Sequence, residues 1–131
     1  MGKLLYPELT YAVRGALFAV WKAFGPAFKE AAYRKALAKE FRARGLSFEA
    51  EKRIGIRYQG EVVGSYRPDF VIGGKVILEI KALPLLSQRE EKQLWYYLKG
   101  STYRVALMVN FGGRKLEIKR WIYDQARQKY T

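Results

Sequence analysis

Residues 66–81 read YRPDFVIGGKVILEIK, two apolar segments separated by a pair of glycines. Gly73-Gly74 at this position is a strong signal for a two-residue hairpin turn. The turn would join a strand over residues 62–71 to a strand over residues 75–81. Val76-Ile77-Leu78 is apolar on both faces of the second strand, which is typical of a central strand covered on each side. The hairpin therefore predicts the middle of a sheet.

Two amphipathic helices are predicted on the N-terminal side of this hairpin. Pro7 suits the first turn of a helix, and apolar residues then recur at helical spacing as far as Phe24. Gly25-Pro26 ends this helix, because proline lacks an N–H donor and disfavours helix at the preceding residue. A second helix is predicted from residue 27 or 28 to residue 44, with Gly45 as its left-handed cap.

The remaining segments predict the rest of a sheet and a third helix. Alternating residues over 48–58 indicate a strand, and Gln59-Gly60 indicates the turn into the next one. Ser87 with Glu90 three residues on predicts a capping box and a helix to about residue 99. The strand over 103–110 follows that helix, so it can pair parallel to residues 75–81. Residues 116–121 predict a last short strand or a helix entry.

The predicted order is α-α-β-β-β-α-β-(β), an α/β fold with a small mixed central sheet flanked by helices. No repeat, low-complexity tract or linker divides the sequence. We therefore expect a single domain over residues 1–131, with a basic C-terminal tail from about residue 122.

Charge points to a polyanionic partner. Lys and Arg number 25 against 12 Asp and Glu, a net charge of +13. Such a balance indicates nucleic acid or an anionic membrane surface. No apolar run approaches the ~20 residues of a membrane span, and no segment resembles a signal peptide. Nucleic acid, no membrane and a cytoplasmic location are therefore expected.

The absent residue types restrict the chemistry. The chain has no Cys and no His, which excludes disulfides, thiolate zinc sites, cysteine catalysis and a histidine general base. Any metal ion must be held by oxygen ligands, which favours Mg²⁺, Mn²⁺ or Ca²⁺.

Asp69, Glu79 and Lys81 form the candidate catalytic group. Glu79 and Lys81 leave the same face of one strand, about 6.5–7 Å apart, and the hairpin would bring Asp69 alongside them. Two carboxylates can hold a divalent cation, and a lysine can steer or deprotonate a water for phosphodiester hydrolysis. A lone carboxylate in an apolar strand is costly unless a cation compensates it. The spacing leaves open whether that cation is a metal ion or Lys81.

A wider pattern is formed by Tyr66-Arg67-Pro68-Asp69, Glu79-Ile80-Lys81 and the Gln-x-x-x-Tyr element Gln93-Leu94-Trp95-Tyr96-Tyr97 on the following helix. This pattern resembles the PD-(D/E)xK nuclease superfamily. The Gln-x-x-x-Tyr element is similar to its RecB-like and lambda-exonuclease-like branch, and the small GxxExxY family of that superfamily is closer still. Ala27 replaces the first glycine of the GxxExxY motif, and Glu90 stands where relatives often carry His. The matching segments run from about residue 9 beyond residue 110: Leu9-Thr10-Tyr11, Gly25-Pro26, Glu30-Ala31-Ala32-Tyr33, Tyr66-Arg67-Pro68-Asp69, Glu79-Ile80-Lys81, Gln93-Leu94-Trp95-Tyr96-Tyr97 and Leu107-Met108-Val109-Asn110-Phe111.

The resemblance implies a restriction-endonuclease-like core and a metal site. Asp69 and Glu79 would be the principal ligands of Mg²⁺ or Mn²⁺, completed by the Ile80 carbonyl. Glu30, on the second helix, would contact the metal directly or through water. Lys81 would orient the attacking water.

The resemblance also implies substrate contacts. Gln93 and Tyr97 lie one helical turn apart, so they can face the site together and hold the substrate or the lysine. Arg67 is a candidate phosphate contact. The basic residues of the second helix are instead expected on a solvated face: Arg34, Lys35, Lys39, Arg42 and Arg44.

We therefore expect a metal-dependent nuclease acting on DNA, with RNA as the other substrate, and with exonuclease-like or structure-dependent activity. One alternative is a nucleic-acid-binding module that keeps an idle nuclease fold, since fold does not fix function. The other is a dimeric junction-resolving nuclease, and a homo-oligomer is compatible with the sequence.

Overall fold

A five-stranded mixed sheet with helices on both faces organises residues 6–123, which are the residues that the computed structural model describes. The order of strands in this sheet is β1-β4-β5-β6-β7, and a separate two-stranded sheet pairs β2 with β3. Strands β5 and β6 are parallel, and the other neighbours are antiparallel. The predicted α/β class is confirmed. The elements in chain order are α1 (Pro7–Phe24), α2 (Glu30–Ala43), β1 (Phe48–Ala50), β2 (Ile54–Tyr58), β3 (Glu61–Tyr66), β4 (Phe70–Ile72), β5 (Val76–Lys81), α3 (Gln88–Gly100), β6 (Val105–Asn110) and β7 (Glu117–Ile122).

The predicted strand count before α3 is wrong, because two predicted strands are each divided. The strand over 48–58 breaks at Glu51, whose positive φ of 52° is incompatible with extended backbone. The strand over 62–71 breaks at Arg67-Pro68, since proline cannot donate to a ladder. Period-two alternation continues through both breaks and hides them from a reading of periodicity, although Pro68 by itself is a signal for the second break. As a result, Tyr66 and Phe70 belong to different sheets, and Asp69 lies at the junction.

Other boundaries differ by small amounts. Helix α2 begins at Glu30 rather than at residue 27 or 28, and the capping box of Ser87 and Glu90 opens α3 as predicted. Residues 117–122 form a full strand, and the predicted basic tail from about residue 122 lies almost wholly outside the described residues. None of the described helices is long and apolar enough to cross a membrane.

The glycine pair makes the predicted turn with one more connecting residue than expected. Gly73 and Gly74 both have positive φ, 61° and 67°, which residues with a Cβ rarely adopt. Lys75 N–H closes the turn on the Ile72 carbonyl at 3.1 Å, and the first ladder pair is Ile72 with Val76. This turn sets the register that places Asp69 beside Glu79.

Two apolar layers cover the sheet. On one face, Phe70 and Leu78 of the sheet pack in a cluster with α1 and with Leu37 of α2. On the other face, Ile77 packs in a cluster with Leu94 of α3. Each such fully buried side chain stabilises the fold by about 1.5–3 kcal/mol. Because side chains alternate along a strand, residues 79 and 81 project to the same face as Ile77, the α3 face.

Candidate functional site

Asp69 and Glu79 lie side by side just before β4 begins. The β4–β5 ladder stops at the pair Phe70–Leu78. Beyond it, the backbone N–H of Asp69 donates to Glu79 Oε1 at 2.9 Å, and Ile80 N–H donates to Asp69 Oδ2 at 2.7 Å. Each carboxylate thus accepts a hydrogen bond from a backbone N–H of the neighbouring segment, at a position where a backbone hydrogen bond of the ladder would otherwise form. The hairpin brings the two carboxylates together as its spacing predicts.

Arg34 is a member of this group that the sequence reasoning missed. Its Nε lies 3.3 Å from Asp69 Oδ1, although helix periodicity placed it on a solvated face. A second guanidinium nitrogen lies 3.7 Å from the exposed Glu51 carboxylate. The sequence did carry a signal for this position. Tyr33 and Leu37 form the buried face of α2, and Arg34 stands next to Tyr33, at the edge of that face. Arg34 therefore places a cation beside Asp69.

Tyr66 is the second residue that the sequence reasoning missed. Its side chain is buried, and its ring stacks on Tyr97 with centroids 4.1 Å apart and an interplanar angle of 11°. The hydroxyl faces the Glu79 carboxylate closely enough to favour the ionised form of that carboxyl, but it falls outside strict hydrogen-bond geometry. Burial and the nearby Glu79 charge raise the pKa of Tyr66, so this hydroxyl stays a donor. An unsatisfied buried donor costs about 1–3 kcal/mol, which a ligand oxygen can offset.

The predicted residues of α3 reach the site through Tyr66. Gln93 Nε2 donates to the Tyr97 hydroxyl at 3.3 Å, and Tyr97 stacks on Tyr66. Gln93 itself is exposed. The one-turn spacing thus places both residues on the site side of α3, with Tyr97 nearer to the carboxylates.

The other predicted residues differ in how closely they join the group. Lys81 lies near enough to favour the ionised forms of both Asp69 and Glu79. Arg67 is exposed and forms no ion pair with another residue of the range 6–123. Glu30 is the first residue of α2, and the described residues contain no cluster of three acidic side chains able to hold a metal ion. The structure therefore does not gather Glu30 with the other two carboxylates.

Burial sets the electrostatics of the pair. Desolvation, followed by the Asp69 charge, raises the pKa of Glu79 to about 7. Desolvation also raises the pKa of Asp69, against the Ile80 hydrogen bond and Arg34. A divalent cation would relieve both the burial and the mutual repulsion of the two carboxylates. With the unsatisfied Tyr66 hydroxyl beside them, these hard oxygen donors fit Mg²⁺ or Mn²⁺ with bound water.

This pKa shift predicts how stability depends on pH. Since the folded-state pKa of Glu79 is raised, its contribution is present below about pH 4.5 and is lost as pH rises through about 7. Urea unfolding in EDTA should show the wild type losing about 2–3 kcal/mol between about pH 5 and about pH 8. Glu79→Gln should lose little. No histidine titrates in this window.

The exposed Glu8→Gln is the matched control for that measurement, because it removes one carboxylate without touching the pair. It should follow the wild type across the whole pH range. Equal slopes for wild type and Glu79→Gln would contradict the raised pKa of Glu79.

Comparison with known proteins gives a family match over most of the chain. The model of the PD-(D/E)XK nuclease superfamily matches residues 7–121. No curated protein sequence matches significantly. Among solved structures, an alkaline exonuclease (LHK-Exo) from Laribacter hongkongensis is similar over 99% of this chain and 76% of its own, with 14% sequence identity and a TM-score of 0.48. The family match includes the carboxylate pair, Lys81 and α3.

Proposed function

Because this chain belongs to the PD-(D/E)XK nuclease superfamily, we propose that it hydrolyses phosphodiester bonds of DNA with the help of Mg²⁺ or Mn²⁺. The observation that carries this proposal is that Asp69 and Glu79 lie together beside Lys81. The Glu79 carboxylate accepts from the backbone N–H of Asp69, and the Asp69 carboxylate accepts from the backbone N–H of Ile80. A net charge of +13 supports a polyanionic substrate.

The carboxylate pair is the proposed metal site. Asp69 and Glu79 would hold the ion together with the Ile80 carbonyl, and Glu30 would act through water from α2. When bound, the ion supplies a Lewis acid and a water of lowered pKa. The backbone donors of residues 69 and 80 fix Glu79 Oε1 and Asp69 Oδ2. Glu79 Oε2 and Asp69 Oδ1, which now faces Arg34, would be the oxygens that coordinate the ion.

Lys81 and two neighbours are proposed to handle the charge of the reaction. Lys81 orients the attacking water, eases its deprotonation and offsets charge at phosphorus, and the proton of the water passes to solvent. The Tyr66 hydroxyl donates to an oxygen of this water or of the phosphate, which gives the hydroxyl the hydrogen-bond acceptor that it lacks. Arg34 turns from Asp69 to a phosphate oxygen once another cation takes its place, since guanidinium matches phosphate geometry.

The remaining predicted residues are proposed to position the substrate. Tyr97 fixes the ring of Tyr66 by stacking, and Gln93 holds the Tyr97 hydroxyl. Arg67 is exposed next to Asp69 in sequence and suits a phosphate contact. We propose that the chain belongs to the GxxExxY group and, from its Gln-x-x-x-Tyr element, that its activity is exonuclease-like.

A cleavage panel tests this function. Single-stranded, duplex and branched DNA and RNA are incubated with the protein in Mg²⁺, in Mn²⁺ and in EDTA. We expect DNA cleavage with either metal ion and none in EDTA, because the proposed reaction requires a divalent cation held by Asp69 and Glu79. Absence of cleavage on every substrate would overturn the proposal, and cleavage of branched DNA alone would favour a junction-resolving enzyme.

A specific observation favours a second candidate, a nucleic-acid-binding module with an idle site. Arg34 already neutralises Asp69, and within residues 6–123 a third carboxylate does not join the pair. Salt-dependent DNA binding that survives Asp69→Ala and Glu79→Ala, without cleavage by the wild type, would establish this alternative.

A further inference from the structure

Strands β2 and β3 form a ribbon, residues 54–66, that stands apart from the main sheet. Its inner end is fixed, because Ile54 and Tyr66 are a buried ladder pair. Five of the six residues of β3 are exposed, and the outer end carries the exposed side chains of Tyr58, Val62 and Val63. An isolated two-stranded ribbon is marginal in water. A ribbon that leaves apolar side chains in solvent is therefore suited to contact a partner.

A cationic pocket lies at the base of this ribbon. The pocket has a volume of about 190 Å³, and Lys52, Arg53 and Arg57 line it together with Thr102 and Tyr103. At about 30 Å³ for each water, it holds roughly six waters, or one phosphate group with a few of them. Three cations and two hydroxyl groups around such a volume suit a phosphate.

Little of this positive charge is neutralised within the described part of the chain. Lys52 pairs with Glu49 at 3.1 Å, on the exposed surface. Arg57 donates one long hydrogen bond of 3.4 Å to the Gly60 carbonyl, and Arg53 forms no ion pair among residues 6–123. Since each guanidinium carries five donors, most of those on the two arginines remain available to an anion.

The ribbon connects this pocket to the candidate active site. Ile54 and Gly55 line the pocket and pair with Tyr66 and Ser65. Tyr66 lies near Glu79 and precedes Asp69 by three residues. The five residues of β2 span about 13 Å, which corresponds to about four nucleotide steps at 3.4 Å each. A strand bound at the site can thus continue along the ribbon.

We propose that the ribbon and its cationic pocket bind the sugar-phosphate backbone of the nucleic acid on one side of the bond to be cleaved. Arg53 and Arg57 hold a phosphate in the pocket, and Tyr58 with the two valines contacts sugars and bases farther out. A two-stranded ribbon has the width to enter the major groove of duplex DNA, and an exposed aromatic ring can stack on an unpaired base. The proposal rests on the proposed function for the identity of the ligand.

The test measures DNA binding by the full-length protein carrying Glu79→Gln, so that cleavage does not interfere. The probes are a fluorescein-labelled DNA duplex and its single strand, titrated between about 50 and about 200 mM salt. Arg53→Ala with Arg57→Ala is compared with Lys35→Ala and Lys39→Ala, which remove the same charge from exposed positions of α2 on the other face of the sheet. Arg53→Gln with Arg57→Gln is used as well if the alanine pair lowers the unfolding temperature.

We expect the arginine pair to weaken binding about tenfold or more and to reduce the slope of log K against log salt by about two. The lysine pair should change both only slightly. Equal effects of the two pairs would overturn the proposal. If the arginine variant loses DNA binding while the wild type cuts no substrate, the ribbon is supported as a DNA-binding surface and the nuclease function is rejected. If the wild type cleaves DNA while the arginine variant binds DNA normally, the nuclease function is supported and the ribbon is rejected as a binding surface.

Discussion

Glu79→Gln will reduce kcat/KM for DNA cleavage by about a thousandfold, the largest loss that we expect from a single substitution that keeps the fold. Glutamine retains an oxygen to accept the N–H of Asp69, so the junction between β4 and β5 stays in place. It removes the charge that would hold the divalent cation. Metal ions contribute several kcal/mol to hydrolysis, and each 1.36 kcal/mol is a factor of ten.

Three measurements together make this prediction specific. Steady-state cleavage in Mn²⁺ gives the rate, titration calorimetry gives Mn²⁺ affinity, and urea unfolding shows that the fold is kept. Glu8→Gln, on the exposed surface of α1, should leave all three near the wild-type values. Cleavage by the Glu79→Gln variant at the wild-type rate would show that Glu79 is not a metal ligand and would refute the proposed mechanism.

Gly112→Ala will lower the unfolding temperature by about 10 °C or more. A Cβ at residue 112 would stand 2.4 Å from both the N and the O of Leu83, two backbone atoms that cannot move aside independently. The Asn110 amide holds the same segment, because it accepts from Leu83 N–H and donates to the Leu83 carbonyl, each at 2.9 Å. Overpacking of this kind costs about 1–3 kcal/mol, with more for the broken hydrogen bonds.

This substitution also tests how the site is held. Leu83 follows Lys81 by two residues, so displacement of its backbone should lower the cleavage rate as well as stability. Gly113→Ala is the matched control, since its Cβ would come no closer than 3.6 Å to any neighbour. It should stay within about 0.5 kcal/mol of the wild type. Equal melting temperatures for the two variants would show that the chain relaxes at residue 112 without cost.

Local sequence signals predicted some elements correctly and missed others. Helix α1 and the α3 capping box were predicted correctly because proline, glycine and Ser87 act on their own neighbours. The breaks at Glu51 and Pro68 were missed because the period-two pattern was followed across them, although Pro68 by itself is a signal for a break. The turn at Gly73-Gly74 fixed the pairing of Asp69 with Glu79, because register in a hairpin follows from its turn.

The amino-acid sequence alone determined the α/β class, the central hairpin, the positive charge and the oxygen-only chemistry of any metal site. Each follows from composition or from periodicity over a few residues. Only the tertiary structure decided that Arg34 reaches Asp69, that Tyr66 stacks on Tyr97, and that the β2–β3 ribbon leaves the main sheet. These contacts join residues 31 or more positions apart, or depend on where a strand stops pairing. Their geometry is set by the packing of helices and sheets, which local spacing does not encode.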